Sequence, residues 1–333
     1  MDSLVIRSAR LPSLCLFLMM YGHLPASGVS PTSTEEDLGS KPRNWVCAHT
    51  FWGGIDDDFA TLIPHDEEYV VRSANLESYL SFVGNPTLGT FDEGENAWDH
   101  WFAHSVQNLP NTITGAVLEI RLRPCRAGQT FNDVLSLGLD SPNQTWLWSS
   151  PIANLPAAGG SWPTDGPAVI FTLDLSNLPG GVDLRSKMNA DQFLDIRVSD
   201  DTRVDYVKVD VISASQNVYD PTLLFTQDPL IIGSFVDFTV DGANPGDDVY
   251  FIYSLEGVGD GPCIAPLGGF CLCLQEPARL FDVVNTGSGS SATSTQFIPM
   301  IPIPQFVATQ ALVLFGGSPD AAMTQTIYAP IFF

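Results

Sequence analysis

Apolar and polar positions alternate with a period of two through much of this chain, in short runs. Across 113–122, Val117, Glu119 and Arg121 share one face, while Ala116, Leu118, Ile120 and Leu122 share the other. That is the mark of a strand with one buried face. Similar β runs fall at 131–139, 169–175, 193–198 and 204–211, the last two reading as a pair joined through 199–202. A linker-like stretch at 212–228 precedes seven more, at 235–240, 249–254, 271–274, 279–284, 294–298, 308–314 and 326–331. Turn dipeptides such as Asn85-Pro86, Pro142-Asn143 and Gly159-Gly160 separate the runs. Residues 244–247 read as a tight turn and 286–291 as a flexible hairpin tip. The best helical stretch, 184–192, is two or three turns at most. The pattern predicts an all-β protein. A jelly-roll/Greek-key-like β-sandwich spans 44–220, followed by a smaller immunoglobulin/fibronectin-like β-sandwich over 221–333.

Composition adds the setting. With 38 acidic and 14 basic residues, the formal net charge is −24. Such a chain repels phosphate backbones and anionic lipid surfaces, which excludes nucleic acid as a partner. Arg7 and Arg10 precede an apolar stretch at 11–21, and small residues follow at 25–28. Residues 1–29 therefore read as a signal peptide, and the polar 30–43 as a flexible leader. No later run is long and apolar enough for a membrane-spanning helix. The expected location is secreted, extracellular or at the cell surface. Export makes disulfides the default for Cys47, Cys125, Cys263, Cys271 and Cys273. With Cys15 removed in the signal peptide, Cys47 and Cys125 are the only two in the first half and read as partners. Cys263 closes a small loop with Cys271 or Cys273.

Several stretches also carry a resemblance. They are Asp241-Gly242-Ala243-Asn244-Pro245-Gly246, Ser254-Leu255-Glu256-Gly257-Val258-Gly259, Gly268-Gly269-Phe270-Cys271-Leu272, Gln310-Ala311, and the run from Phe193 through Asp200 to Tyr206. In these the chain resembles uncharacterised exported two-domain β-sandwich proteins of environmental bacteria. The resemblance covers under half of the chain and implies export and a β-sandwich. It implies no activity, and it carries no functional residues.

Candidate chemistry is sparse. Asp92, Glu93, Glu95 and Asp99 form an oxygen-rich tract, suited either to capping turns or to holding a structural Ca2+. Asp56, Asp57 and Asp58, and the pair Asp200 and Asp201 near Asp205, are further acidic clusters. Trp146 and Trp148 share a strand face and Trp162 follows a Gly-Gly turn. Such rings either close a core or stack on sugars. His100 and His104 are spaced by four but lack the glutamate of a zinc-protease helix, and read as strand residues. No nucleophile elbow or phosphate-binding loop is present. The reading that follows is a non-catalytic secreted or cell-surface protein, structural or adhesive, calcium-stabilised, with surface glycans or other extracellular proteins as partners. The alternatives are a carbohydrate-binding module using Trp146, Trp148 or Trp162, and a glycan-acting hydrolase with an unseen carboxylate pair.

Overall fold

A computed structural model describes residues 46–59, 70–92, 100–124, 133–162, 166–200, 202–214, 219–259, 261–264, 270–299, 306–316 and 321–332. The expected signal peptide at 1–29 and leader at 30–43 lie outside the described residues, as does Cys125.

The described residues are predominantly β, with two short α-helices among them. The first half supplies β1 (Val46–Gly54), β2 (Thr87–Gly89), β3 (His100–Gln107), β4 (Ile113–Pro124), β5 (Val134–Asp140), β6 (Thr145–Pro151), β7 (Val169–Asp174), β8 (Phe193–Ser199) and β9 (Thr202–Ala214). The second supplies β10 (Leu224–Gln227), β11 (Leu230–Ile231), β12 (Phe235–Asp241), β13 (Asp248–Ser254), β14 (Cys263–Ile264), β15 (Phe270–Cys271), β16 (Ala278–Asn285), β17 (Ser291–Phe297), β18 (Phe306–Leu314), β19 (Ala321–Met323) and β20 (Thr326–Phe332). The helices are α1 (Ala74–Phe82) and α2 (Arg185–Asp191).

One sheet joins the two halves. Its order is β16-β13-β18-β20-β1-β9-β4-β7, with β11 and β19 beside it. The join is β1, which runs parallel to β20 through His49–Thr326, Thr50–Ile327 and Phe51–Tyr328, and antiparallel to β9 on its other edge. A five-stranded sheet, β2-β3-β8-β5-β6, and a three-stranded sheet, β10-β12-β17, complete the main layers.

Alternating residues of the joining sheet feed two different cores, because successive side chains point to opposite faces. Phe51, Leu118, Ile120, Val207, Val209, Ala308 and Tyr328 pack with Phe102, Leu137, Ile196 and Val198 of the five-stranded sheet. Phe251, Val307, Ala311, Ile327 and Ala329 pack instead with Phe225, Phe238 and Val240 of the three-stranded sheet. The alternation in β4 falls as the sequence has it, with Leu118, Ile120 and Leu122 fully buried and Val117 exposed. Helix α1 covers the outer face of the five-stranded sheet. Ser73 accepts the Leu76 N–H at 3.0 Å as N-cap, and Leu76, Tyr79 and Leu80 pack on Ala103 and Leu139.

Two connections differ from expectation. β8 and β9 do not pair with one another; they belong to different sheets, and the chain turns between them at Asp200, whose φ is 73°. Likewise 286–290 is not a hairpin tip but a link between the three-stranded and the joining sheet, whereas 244–247 is the tight turn expected, its Asp247 N–H donating to the Asn244 carbonyl at 3.2 Å. At Gly242, φ is 90° and an added Cβ would stand 2.2 Å from the Thr222 carbonyl, so only glycine fits that arch.

The disulfides are Cys47–Cys273, with Cα atoms 6.1 Å apart, and Cys263–Cys271. The first corrects the expected Cys47–Cys125 pair. Proximity in sequence suggested that partner, but β1 lies against the second half. Cys273 is held there by Gln310, a fully buried side chain that accepts the Cys273 N–H at 3.0 Å and donates to the Thr324 carbonyl at 3.0 Å. The Cys47–Cys273 bridge closes a loop of 226 residues. The double variant Cys47→Ala/Cys273→Ala is therefore expected to lose about 2–5 kcal/mol of unfolding free energy in a denaturant titration. A loss under about 1 kcal/mol would contradict the staple's role.

Candidate functional site

The first acidic tract named above is only partly in view. Asp92 is described, while Glu93, Glu95 and Asp99 lie outside the described residues. Asp92 does not stand alone, however: its carboxylate oxygens converge with those of Asp57 and Asp205, one oxygen from each lying within 4.8 Å of the others. The three come from three separate tracts, and no spacing in the sequence shows that they meet.

Local backbone geometry brings them together. β1 ends at Gly54, with φ 75°, where a Cβ would sit 2.6 Å from both the Asp205 carbonyl and the Phe91 ring. Beyond it Asp58 and Phe59 adopt left-handed backbone, as does Asp92, the residue after the buried Phe91. The Asp92 N–H donates to the Val204 carbonyl at 2.8 Å, which sets its side chain beside Asp205 on β9. Asp205 is fully buried and accepts the Phe59 N–H at 3.0 Å.

Arg121 of β4 organises the rim. Its guanidinium meets Asp56 and Asp205 at 2.8 Å each and also pairs with Asp58, and the Phe59 ring lies 5.6 Å from it. Asp205 and Asp92 are joined by a side-chain hydrogen bond, and burial pushes the Asp205 carboxyl above the usual carboxylate range despite the Phe59 N–H, Arg121 and Asp92. Two carboxylates in such contact need a shared proton or a cation between them. Chemically, then, the cluster can bind a proton or a hard cation, with Arg121 cancelling part of its charge.

The tryptophans occupy other places. Trp148 and Trp162 are buried in the main core, their indole N–H groups donating at 2.9 Å to the Pro179 carbonyl and to Thr202 Oγ1 respectively. Their faces are used by the core, the first of the two roles the sequence left open for them: both rings fill volume between the sheets. Trp146 is half-buried, edge-on to Tyr79 at 5.5 Å, with the Arg197 guanidinium 5.2 Å from its ring. Arg197 also lies 4.6 Å over Trp101 and donates to Tyr79 Oη at 2.8 Å and Ser136 Oγ at 2.9 Å. The protein's own arginine therefore occupies that cage.

Two histidines are buried in the joining region. His104 Nδ1 accepts the Val71 N–H at 3.3 Å, and its ring packs 5.3 Å from Phe91. His49 Nε2 shares a hydrogen bond of 3.0 Å with Ser213 Oγ. β3 is a strand, with Phe102 and His104 facing the core and Trp101 and Ala103 facing α1. The His100 side chain lies outside the described residues.

Burial lowers the pKa of His49 to about 4; burial, with Arg72 adding repulsion, lowers that of His104 to about 3. In the unfolded chain both titrate near the ordinary value of about 6.5. The stability tied to these neutral rings is complete above the unfolded value and is lost as pH falls towards the folded values, because the unfolded chain takes up protons first. Unfolding free energy should fall by on the order of 1–3 kcal/mol between about pH 6.5 and about pH 5. His104→Gln, which keeps an acceptor for Val71, should flatten that slope. A pH-independent urea midpoint across the window would contradict the assignment.

No family model matches the chain, and no curated protein is similar to it in sequence. Three solved structures show faint likeness. A β-1,2-glucanase from Parabacteroides distasonis has 10% identity and a TM-score of 0.25, over 70% of this chain and 31% of that one. A β-D-glucuronidase from Dictyoglomus thermophilum has 7% identity and a TM-score of 0.19, over 71% and 37%. The N-terminal domain of the Streptococcus gordonii adhesin Sgo0707 has 9% identity and a TM-score of 0.21, over 80% and 74%. The chain thus spans about a third of the length of the two enzymes it matches. Similarity this faint says nothing about what the chain does.

Proposed function

We propose that this is a non-catalytic, exported protein of the cell surface or extracellular matrix whose work is structural or adhesive. The observation that carries the reading is the parallel pairing of β1 with β20, the first and last described strands, stapled beside it by Cys47–Cys273. Two parallel neighbours pulled from opposite ends share the load over all their hydrogen bonds at once, in shear. Antiparallel ends would peel one bond at a time. A body that bears tension is what an adhesive or matrix protein needs. The two disulfides fit an oxidising location, and no helix among the described residues is long and apolar enough to cross a membrane.

In this reading the fold is two sandwiches fused through one sheet. The jelly-roll-like one, over 44–220, uses the face covered by the five-stranded sheet. The immunoglobulin-like one, over 221–333, uses the face covered by the three-stranded sheet. Calcium is the cofactor proposed for the Asp57–Asp92–Asp205 cluster, where a divalent cation would take the place of the proton between Asp92 and Asp205 and tie the end of β1 to β9.

Two measurements test the proposal. In single-molecule stretching from both ends, the oxidised protein is expected to resist and then release about 200 Å of chain, that following Cys273, and the reduced protein about 1000 Å. A length gain indifferent to reductant, or extension without a force peak, would overturn the load-bearing reading. Calcium at about a hundredfold its Kd should stabilise the fold by about 2.7 kcal/mol in thermal melts. Asp92→Asn and Asp205→Asn should each remove that gain. A melt indifferent to both calcium and EDTA would remove the metal.

A further inference from the structure

The three-stranded sheet covers only part of one face of the joining sheet. It stops at its edge strand β10, and among the described residues no further strand covers the neighbouring face of β1 and β9. The step between them is a groove. Its floor is Thr50 and Trp52 of β1 with Lys208 and Asp210 of β9; its wall is Tyr219, β10 and Gln325. The concavity measures about 480 Å³, within the range of small-ligand sites. A second one of about 210 Å³ continues past Trp52 and Gln227, which line both.

We propose that this groove binds a neutral oligosaccharide, with Trp52 as the stacking platform. This rests on the surface-adhesive reading above and names its ligand. Four observations define the chemistry. First, the half-buried Trp52 ring stands on the floor where the two concavities meet, steadied by Tyr206 at 5.4 Å, and an indole face suits the apolar C–H face of a sugar ring. Second, the charged groups on the floor cancel. Asp210 receives Lys208 at 3.1 Å and the Thr50 hydroxyl at 2.7 Å. No cation is left over for an anionic ligand, and a chain of net charge −24 repels one.

Third, the wall holds an acceptor that wants a hydroxyl. Gln325 Nε2 donates to the Phe225 carbonyl at 2.8 Å, while Gln325 Oε1 is shielded from solvent and has no partner among the described residues. A buried amide oxygen left unpaired is costly, and a turn of the Gln325 amide towards the groove it lines would let a ligand hydroxyl relieve it. Fourth, the remaining lining mixes donors and acceptors: the Lys208 ammonium 5.7 Å from the Trp52 centroid, the Tyr219 hydroxyl and Thr226. A purely apolar ligand would strand all of them, whereas a polyol can answer them. The groove involves none of Trp146, Trp148 and Trp162.

The test is calorimetric titration of the oxidised protein with neutral hexasaccharides of glucose, mannose and xylose, and with a uronic-acid hexasaccharide as the charged control. At least one neutral probe should bind, and the uronate should bind about tenfold or more weaker. Trp52→Ala and Tyr219→Ala should each weaken binding about tenfold, and Trp146→Ala should leave it unchanged. The proposal is overturned if no neutral hexasaccharide binds at millimolar concentration, if the uronate binds best, or if Tyr219→Ala and a folded Trp52→Ala both bind like the parent. Chromatography of the titrated sugar separates the two readings. Binding with cleavage would uphold the groove and overturn the non-catalytic reading. Absence of binding would overturn the groove and leave the stretching experiment to judge the scaffold.

Discussion

The structure depends on β1 having two neighbours from opposite ends of the chain. Its one edge pairs with β9, which follows it by some 150 positions, and its other with β20, at the end of the described chain. Remove that strand and the joining sheet falls into two, each piece with an open edge. Because Phe51 packs with one core and Trp52 with the other, a strand of nine residues also helps to seal both. Its pairing is long-range on both sides, so the loop-closure entropy is large, and the Cys47–Cys273 bridge reduces that entropy in the unfolded chain.

The same strand places the chemistry. Phe51 points into the main core, with Cys47 and His49 buried on the same side of the strand. Thr50 and Trp52 point to the open face, and the strand ends at Gly54 against Asp205. The acidic cluster and the groove are thus consecutive features of one strand. Asp56 is paired with Arg121 in the cluster and also lines the smaller concavity beside Trp52. An ion held by Asp57, Asp92 and Asp205 would set the end of the strand on which Trp52 is carried.

Local structure was legible in the sequence to the extent that it is local. The alternation in β4 gives its buried face residue by residue, and 184–192 contains α2. Partnership was not legible. The short connections at 199–202 and 286–291 look like hairpins, but the strands they join pack face to face in different sheets, which the same alternation permits equally well. Pairing Cys47 with Cys125 assumed that each half closes on itself, and β1 breaks that assumption. Helix α1 was missed because only Leu76, Tyr79 and Leu80 of it are buried, too few for a clear helical period. Among the site residues, Asp92 was found for its composition, but Asp57, Asp205 and Arg121 become its neighbours only through the left-handed residues Gly54, Asp58, Phe59 and Asp92 and the β4–β9 register. Trp52, preceding Gly53-Gly54 at a strand end, gave no periodic signal that it would face a groove.

Native-state hydrogen exchange, resolved to the amides of His49–Phe51 and Thr326–Tyr328, tests the central claim most directly. If β1 closes one sheet from both halves, the amides that bond across it should exchange only through global unfolding. Their opening free energies should equal each other and those of β4 and β9, and should move together under denaturant. Exchange of β1 or β20 at a separate, lower free energy, with the two halves opening independently, would show that the shared sheet is not what holds the protein together.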